Sequence, residues 1–379
     1  MNSTPFFPSG ELRERLLVHR LDMAHPGDVS SLAALLEAGE LAAGDVVAVI
    51  GKTEGNGGVN DFTRGYFTQS LMGLLARYTG QPAEALQRRV PCVLSGGTEG
   101  VLSPHYVVFA RRREAAAGAA GALAVGTAFS DPVPAQDVGR WAQVRAAAAA
   151  VRMAMRQAGI EHPKDVRFVQ LKCPCVTSAR AQAAELAGRT VRTADPARSM
   201  AYARAAGAFG AAVALGELPD DPGLESAMLS DFNLRSDRAS VSSGVEVDAV
   251  EAIVLGHSAL WQGPLRMACA PMRDALDIAG VGNALQALDL AAAPQLDGAQ
   301  ATRVAAVFVK CEPDRRGRVR GARHTMLDDT DIDAQRHIRG AVGGLVAGVL
   351  GDTRLFVSGG AEHQGPDVGG LVAVIADAG

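Results

Sequence analysis

The sequence predicts an α+β protein of three homologous repeats arranged about a pseudo-threefold axis, with central β-sheets and helices outside. Two observations predict this fold. The chain has 379 residues, enough for several domains. One pattern also occurs three times: a strand ending in lysine, a small-residue helix, and a short strand ending in serine. We place the repeats at residues 1–114, 115–260 and 261–379.

The composition is that of a globular protein and excludes several other classes. Apolar residues make up 48% of the chain, charged residues 21%, and the net charge is −4. These values exclude a collagen-like chain, a largely disordered chain and a polybasic nucleic-acid-binding chain. The sequence shows neither a secretion signal nor an apolar run long enough to span a membrane. We therefore expect a cytoplasmic protein that has neither nucleic-acid nor membrane partners.

The cysteines and histidines do not form a recognisable motif. The five cysteines contain no CxxC pair, and the eight histidines show neither HExxH nor HxH spacing. Zinc ribbons and disulfide frameworks need other spacings. We expect reduced thiols, as in a cytosolic protein.

Lysine is rare in this chain, and its positions mark the repeats. Only four of the 37 basic residues are lysines. Lys52, Lys172 and Lys310 each end an eight-residue segment rich in β-branched residues, which predicts a strand. Lys164 lies in a polar turn outside the pattern. A GC-rich genome would explain the arginine bias, but not three lysines at equivalent positions.

A helical segment that opens near an arginine follows each lysine. The arginines are Arg64, Arg204 and Arg339, and apolar residues recur after each of them at helical spacing. The many glycines and alanines in these segments indicate close packing of each helix against a sheet or another helix.

The next strand of each repeat ends in a serine followed by small residues. The serines are Ser95, Ser242 and Ser358, and a glutamate stands four residues after each of them. A further apolar strand closes each repeat, and another opens it. We place the closing strands at 106–109, 252–255 and 371–375, and the opening strands near 16–21, 123–129 and 265–270.

A lysine and a serine at the ends of strands in one sheet suggest a Ser–Lys dyad. A lysine amine removes a hydroxyl proton only when neutral, and burial lowers its pKa enough to allow this. Arginine cannot replace it, because a guanidinium stays protonated. Three dyads, Ser-Gly backbone N–H groups and three arginines around one axis form a cationic site rich in donors. Such a site suits a small, flat, oxygen-rich ring.

Five long stretches of the sequence carry a specific family resemblance. They are GKTEGNGGVNDFTRGY (51–66), SGGTEGVLSPH (95–105), VQLKCP (169–174), RGARHTMLDDTDI (320–332) and SGGAEHQGP (358–366). These stretches resemble those of the ring-opening amidohydrolases, the family of cyanuric acid hydrolase and barbiturase, and the resemblance covers essentially the whole chain.

The resemblance implies one central site that opens a cyclic amide without an organic cofactor, usually in a homotetramer. It implies that Lys172 is the base and Ser242 the nucleophile. Residues that bind the small planar substrate would be Lys52, Arg64, Ser95, Gly96, Arg204, Ser243, Lys310, Arg339, Ser358 and Gly359. Ser243 stands where the other repeats have glycine, so it is an alternative nucleophile.

The resemblance also implies a structural Mg²⁺ or Ca²⁺ in the third repeat. The positions that match its ligands are Glu312, Ala361, Gln364, Gly365, Pro366 and Gly369. Carbonyl oxygens and one carboxylate suit a hard cation. Asp367 and Val368 depart from the family's more glycine-rich loop.

The implied reaction is hydrolysis of cyanuric acid to carboxybiuret. A barbiturase, which opens barbituric acid to ureidomalonate, would share every dyad. A related cyclic imide is another possible substrate. From a different class, the chain could be a non-catalytic binder of small planar anions.

Overall fold

The structure, a computed structural model, describes residues 12–117 and 120–378. The first unit contains four strands and three helices. The third helix is short and follows the helix that contains Arg64. In chain order they are β1 (Leu12–Asp22), α1 (Ser30–Glu37), β2 (Val46–Thr53), α2 (Thr63–Thr79), α3 (Ala83–Gln87), β3 (Cys92–Gly96) and β4 (His105–Ala115).

The second unit repeats this plan with longer helices. It consists of β5 (Ala120–Pro132), α4 (Trp141–Ala158), β6 (Val166–Pro174), α5 (Ser178–Leu186), α6 (Pro196–Ala214), β7 (Ala239–Gly244) and β8 (Ala249–Gln262).

The third unit adds a small two-stranded ribbon to the same plan. It consists of β9 (Leu265–Met272), α7 (Ile278–Gln286), α8 (Gly298–Arg303), β10 (Val304–Cys311), β11 (Arg318–Val319), β12 (Ala322–Arg323), α9 (Ala334–Leu350), β13 (Phe356–Gly359) and β14 (Gly370–Asp377).

The three units form four-stranded sheets with one shared strand order. The orders are β3-β2-β4-β1, β7-β6-β8-β5 and β13-β10-β14-β9. A short parallel pairing of β1 with β8 joins the first two sheets. The predicted α+β fold of three repeats is confirmed by this repeated order. The residue boundaries that we placed between the repeats stay a prediction.

The sequence interpretation missed a helix in each unit. In every sheet the first and second strands are both antiparallel to the fourth, so they run parallel to each other. A connection between two parallel strands of one sheet must cross over the sheet, and it usually contains a helix. The helices α1, α4 and α7 lie in these connections.

Several predicted element ends were also wrong. The lysine strands continue one or two residues past the lysine, because their pairing with the serine strands continues. The helix α6 starts at Pro196, eight residues before Arg204, because Asp195 caps its first turn and Pro196 is suited to the first helical position. The cap at Asp333 likewise starts α9 at Ala334, ahead of Arg339.

The inner faces of the sheets meet in an aromatic cluster. Phe308 of the third unit packs against Phe168 of the second, with ring centroids 5.5 Å apart, and against Phe109 of the first at 6.3 Å. All three rings are fully buried. The long helices cover the outer faces, so the sheets lie at the centre. Within the described ranges, no helix is long and apolar enough to cross a membrane.

Candidate active site

Each of the three lysines is the direct cross-strand partner of its serine. Lys52 faces Ser95 between β2 and β3, Lys172 faces Ser242 between β6 and β7, and Lys310 faces Ser358 between β10 and β13. Directly opposite residues of a strand pair project on one face. The repeated pattern therefore places three Lys–Ser pairs at equivalent points of three sheets.

In the first and third units the lysine contacts its own serine. Lys52 Nζ is 3.3 Å from Ser95 Oγ, and Lys310 Nζ is 3.1 Å from Ser358 Oγ. Lys310 also donates to Val241 O and Gly359 O, at 2.9 and 2.8 Å. These acceptors occupy the three N–H bonds of a Lys310 ammonium.

The lysine of the second unit makes different contacts. Lys172 Nζ is 2.6 Å from Glu246 Oε1 and donates to Leu94 O at 3.1 Å. Ser242 Oγ shares a 3.4 Å hydrogen bond with Ser358 Oγ. The Lys172–Ser242 pair is thus in register, but the Lys172 side chain is held by a carboxylate.

Burial lowers the pKa of all three lysines. The pKa of Lys52 lies well below its usual range, because burial lowers it and Arg339 adds to this effect. Burial and Arg204 lower the pKa of Lys310 to about 7. Burial also lowers the pKa of Lys172, but Glu246 opposes this shift. The three amines are therefore easier to deprotonate than solvent-exposed lysines.

The serines open into one cavity of about 440 Å³ between the units. All the predicted catalytic and substrate-binding residues line it except Lys52 and Lys310, which are fully buried behind their serines. Ser243 Oγ donates to Met200 O at 3.0 Å and accepts from Arg204 at 3.4 Å. A Cβ at Gly96 would lie 1.7 Å from Asp61 Oδ2, so any larger residue there would displace the Asp61 side chain.

The three arginines are joined to the serine loops of neighbouring units by ion pairs. Arg64 Nε lies 2.8 Å from Glu246 Oε1. Arg204 makes two contacts with Glu362, at 2.6 and 2.7 Å, and Arg339 makes two with Glu99, at 2.6 and 2.9 Å. The pairing therefore runs from first unit to second, second to third, and third to first, as a threefold arrangement requires.

The function of these glutamates was missed in the sequence, although their spacing was visible. Each stands four residues after its serine, but its partner is an arginine of another repeat, 158 residues away for Arg204 and 240 for Arg339. The recurrence of one such glutamate and one such arginine in every repeat was the sequence signal that could have indicated these ion pairs. The ion pairs hold each guanidinium at the cavity and give it a fixed orientation.

We expect Glu99→Gln to lower the free energy of unfolding by about 3 kcal/mol, because it leaves the buried Arg339 guanidinium without its counter-ion. Urea denaturation of the purified variant measures the loss. Glu161→Gln, a change at an exposed acid, is the matched control and should alter stability by less than about 0.5 kcal/mol. Equal midpoints for Glu99→Gln and the wild type would contradict the role of this ion pair.

The second unit is polar where the other two are apolar. Two residues before the lysine stands Gln170, where the other units have Ile50 and Phe308. Two residues before the serine stands Ser240, against Val93 and Phe356. Gln170 Oε1 and Ser240 Oγ are buried without a hydrogen-bond partner among the described residues. Aligning the three repeats in the sequence would have revealed this asymmetry.

Strand pairing places the loop of expected metal ligands near the end of β10. Cys311 pairs with Gly370, so Glu312 lies next to the loop that contains residues 361–369. Burial and Glu362 raise the pKa of Glu312 to about 7. A carboxylate and loop carbonyls are donors that Mg²⁺ or Ca²⁺ takes, and a cation would relieve this pair of buried acids. Among the described residues, however, no group of three or more His, Cys, Asp or Glu side chains could hold a metal ion, so a cation here would depend on main-chain carbonyls beside Glu312.

An arginine already contacts part of this donor set. Arg315 donates to Glu312 Oε1 at 3.1 Å and to Asp367 Oδ1 at 2.5 Å. Its guanidinium lies 3.6 Å above the ring of Phe232. Gln364 Oε1 accepts from the Val241 N–H, which leaves only its main-chain carbonyl for a cation. Arg315 therefore competes for Glu312.

Comparison with known proteins identifies the family. The model of the family described as "Amidohydrolase ring-opening protein" matches residues 17–377. A cyanuric acid amidohydrolase of Azorhizobium caulinodans is 49% identical, covering 95% of this chain and 97% of its own. One from Pseudomonas sp. strain ADP is 44% identical, covering 95% and 99%.

Solved structures agree in fold along almost the entire chain. A cyanuric acid hydrolase, described as an innovation by structural concatenation, matches with a TM-score of 0.92 and 42% identity, covering 96% of this chain and all of its own. The enzyme from A. caulinodans matches with a TM-score of 0.88 and 48% identity, covering 96% and 99%. The chain therefore belongs to the ring-opening amidohydrolase family.

Proposed function

We propose that this enzyme hydrolyses cyanuric acid by opening its ring to give carboxybiuret. One observation carries the proposal: three Lys–Ser pairs in cross-strand register surround a single cavity, and three arginines line it. Cyanuric acid is a flat ring with three equivalent carbonyl groups. Relatives that are 44–49% identical over nearly the full chain bear the name of this activity.

The substrate fits the repeated donors of the cavity. Each ring carbonyl accepts hydrogen bonds in the ring plane, and serine hydroxyls and arginine guanidinium groups supply them. Ser95 and Ser358, each polarised by its lysine, hold two carbonyls. The third carbonyl then lies at Ser242, where attack takes place.

In the first chemical step Lys172, as the neutral amine, accepts the proton of the Ser242 hydroxyl. Ser242 Oγ forms a bond to the ring carbonyl carbon, and the charge that develops on the carbonyl oxygen is stabilised by hydrogen-bond donors of the site. The C–N bond of the ring breaks, and the leaving nitrogen takes the proton from Lys172. The product of this step is an open-chain acyl-enzyme on Ser242.

In the second step Lys172 accepts a proton from water, and the oxygen attacks the acyl carbon. The bond to Ser242 Oγ breaks, and that oxygen recovers a proton from Lys172. Carboxybiuret leaves with a new carboxyl group. Both steps use the same base and the same serine. The other two lysines therefore act only by polarising the hydroxyl groups of their own serines.

The contacts in the second unit support Lys172 and Ser242 as the reacting pair. A base must become an ammonium in the transition state, and Glu246 stands 2.6 Å from Lys172 Nζ to stabilise that charge. Lys310 instead uses its three N–H bonds on two carbonyls and Ser358, as a donor does. Gln170 and Ser240 make only this unit polar beneath the reacting pair.

A substrate panel tests the proposed reaction. The purified enzyme is incubated with cyanuric acid, barbituric acid and related cyclic imides, and ring-opened products are identified by mass spectrometry. We expect cyanuric acid to give the highest kcat/KM. Ureidomalonate formed at a higher kcat/KM would instead identify a barbiturase, and binding without any product would identify a non-catalytic binder.

We also propose that the third unit binds one structural Mg²⁺ or Ca²⁺ through Glu312, and that Arg315 weakens this binding. Arg315→Gln should therefore raise the affinity for Ca²⁺ in calorimetric titration and increase the rise in Tm that Ca²⁺ produces. Arg316→Gln, whose side chain pairs with Asp314 instead, is the control and should behave as the wild type does. Absence of bound metal and of any Tm change in all three proteins would contradict this site.

The homotetramer and the cytoplasmic location stay predictions. Light scattering after size-exclusion chromatography measures the assembly, and four chains per particle is the expected result.

A further inference from the structure

A second buried acid stands beside Lys172, and the proposed reaction does not use it. Glu251 in β8 is the direct cross-strand partner of Lys172 in β6, on the side opposite Ser242. The three residues therefore form one row across three strands, with the lysine in the middle. The corresponding partners of Lys52 and Lys310 are His105 and Leu371, so this row contains a carboxyl group only in the second unit.

Glu251 is held in place at the wall of a second cavity. Its side chain is buried, and Oε2 accepts a hydrogen bond of 3.1 Å from the Cys92 N–H of the first unit. The cavity has a volume of about 180 Å³, and Glu246 and Glu251 both line it together with Thr68 of α2. We call it the relay cavity. It shares none of its lining residues with the substrate cavity.

The ion pair between Glu246 and Lys172 connects the two cavities. Lys172 lines the substrate cavity and Glu246 lines the relay cavity, and their charged atoms are 2.6 Å apart. Glu246 Oε2 is buried without a hydrogen-bond partner among the described residues. A carboxylate oxygen in that state needs a donor, which a protonated Glu251 or a water molecule in the relay cavity would supply.

The charges around Glu251 favour a protonated group. Burial raises the pKa of Glu251 to about 8, and Glu246 and Asp248 add to the effect, while the Cys92 N–H and Lys172 oppose it. Glu246, in contrast, is ionised: although burial opposes it, Lys172 and Arg64 lower the pKa of that carboxyl. A neutral acid thus lies beside an ionised one, which is the arrangement that a proton transfer between them needs.

We propose that Glu246 and Glu251 form a proton relay that carries the proton of each turnover from Lys172 to water in the relay cavity. This inference rests on the proposed function: ring opening of cyanuric acid leaves a urea-type nitrogen that is not basic, so ionisation of the new carboxyl group releases one proton per turnover. The product carboxyl gives that proton to Lys172. An N–H bond of Lys172 then breaks as an O–H bond of Glu246 forms. Glu251 accepts this proton while its own passes to water, and Lys172 is again a neutral amine.

The relay is tested with Glu251→Gln, which keeps the shape and the acceptor for the Cys92 N–H but cannot transfer a proton. We expect kcat to fall about 10-fold to 100-fold with KM unchanged. We also expect the wild-type kcat profile to bend near pH 8, the pKa of Glu251, and this bend to be absent from the variant. In Glu251→Ala, formate or imidazole should restore kcat in proportion to its concentration, because a small buffer can occupy the space that the side chain leaves.

Two further variants make the outcome decisive. Leu371→Met changes the equivalent position of the third unit and should keep the wild-type kcat and pH profile. Thr68→Leu places an apolar side chain in the relay cavity and leaves both acids in the sequence, and it should lower kcat as Glu251→Gln does. This variant tests the relay even where substitutions at Glu251 prevent folding.

Unchanged kcat in Glu251→Gln and Thr68→Leu would overturn the relay. A lowered kcat with the wild-type pH profile and no buffer rescue would also overturn it, because that result identifies a purely structural residue. Both results differ from failure of the proposed function, in which the wild type itself would form no ring-opened product.

Discussion

Replacement of Lys172 by alanine is expected to lower kcat by roughly 10³-fold or more while the protein stays folded. The variant removes the only proposed base. The Lys172 side chain lines the cavity, and we expect the loss of its polar contacts with Leu94 O and Glu246 not to disturb the aromatic core. Lys172→Arg should be equally inactive, because a guanidinium keeps the charge but does not release its proton at working pH. Steady-state kinetics with cyanuric acid measure both variants.

The lysine that lies outside the repeat pattern is the matched control. Lys164→Arg changes the same residue type at a turn before β6, and it should keep the wild-type kcat and KM. In the wild type, kcat/KM should fall as the pH falls through the lowered pKa of Lys172, since only the neutral amine accepts the serine proton. Substantial turnover by Lys172→Ala, together with loss of turnover in Lys310→Ala, would move the base to the third unit.

Replacement of Ser242 by alanine should lower kcat as far as Lys172→Ala does. Nucleophile and base act as one unit, so the double variant should be no slower than either single variant. Ser95→Ala and Ser358→Ala should instead raise KM and retain measurable turnover, because these hydroxyls bind ring carbonyls in the proposed reaction. Initial rates over a range of cyanuric acid concentrations separate kcat from KM for all four proteins.

Ser243→Ala tests whether Ser243, the neighbour of Ser242, is the nucleophile instead. Ser243 is hydrogen-bonded to Met200 O and Arg204, so we expect its loss to weaken substrate binding without removing the nucleophile. If Ser243→Ala were inactive and Ser242→Ala active, the nucleophile would have been assigned to the wrong serine.

The sequence was sufficient to predict the parts of the site that local patterns encode. Lysine is rare, so three lysines at the ends of similar strands could be recognised, and each serine lies in a short strand with its own small residues. The pairing of Lys52 with Ser95 could then be predicted, because β2 and β3 belong to the same repeat. The arginines could be recognised for the same reason, because each lies in a helical segment of its own unit.

Contacts between repeats could not be predicted from these local patterns. Arg339 and Glu99 are 240 residues apart, and only the packing of the third unit on the first brings them together. The same limit applies to Glu246, which was visible as a spacing after Ser242 but whose contact with Lys172 depends on a loop conformation. Glu251 gave no signal of its own, since it lies within an apolar strand and matters only because β8 pairs with β6.

Mapping of the acyl-enzyme tests the claim that the second unit provides the nucleophile for ring opening. Wild-type enzyme is mixed with excess cyanuric acid, quenched in acid within milliseconds to seconds, digested and analysed by mass spectrometry. We predict a peptide that carries the added mass of one substrate molecule on Ser242, and no such adduct in Ser242→Ala. An adduct on Ser95, Ser243 or Ser358 in the wild type would contradict the claim.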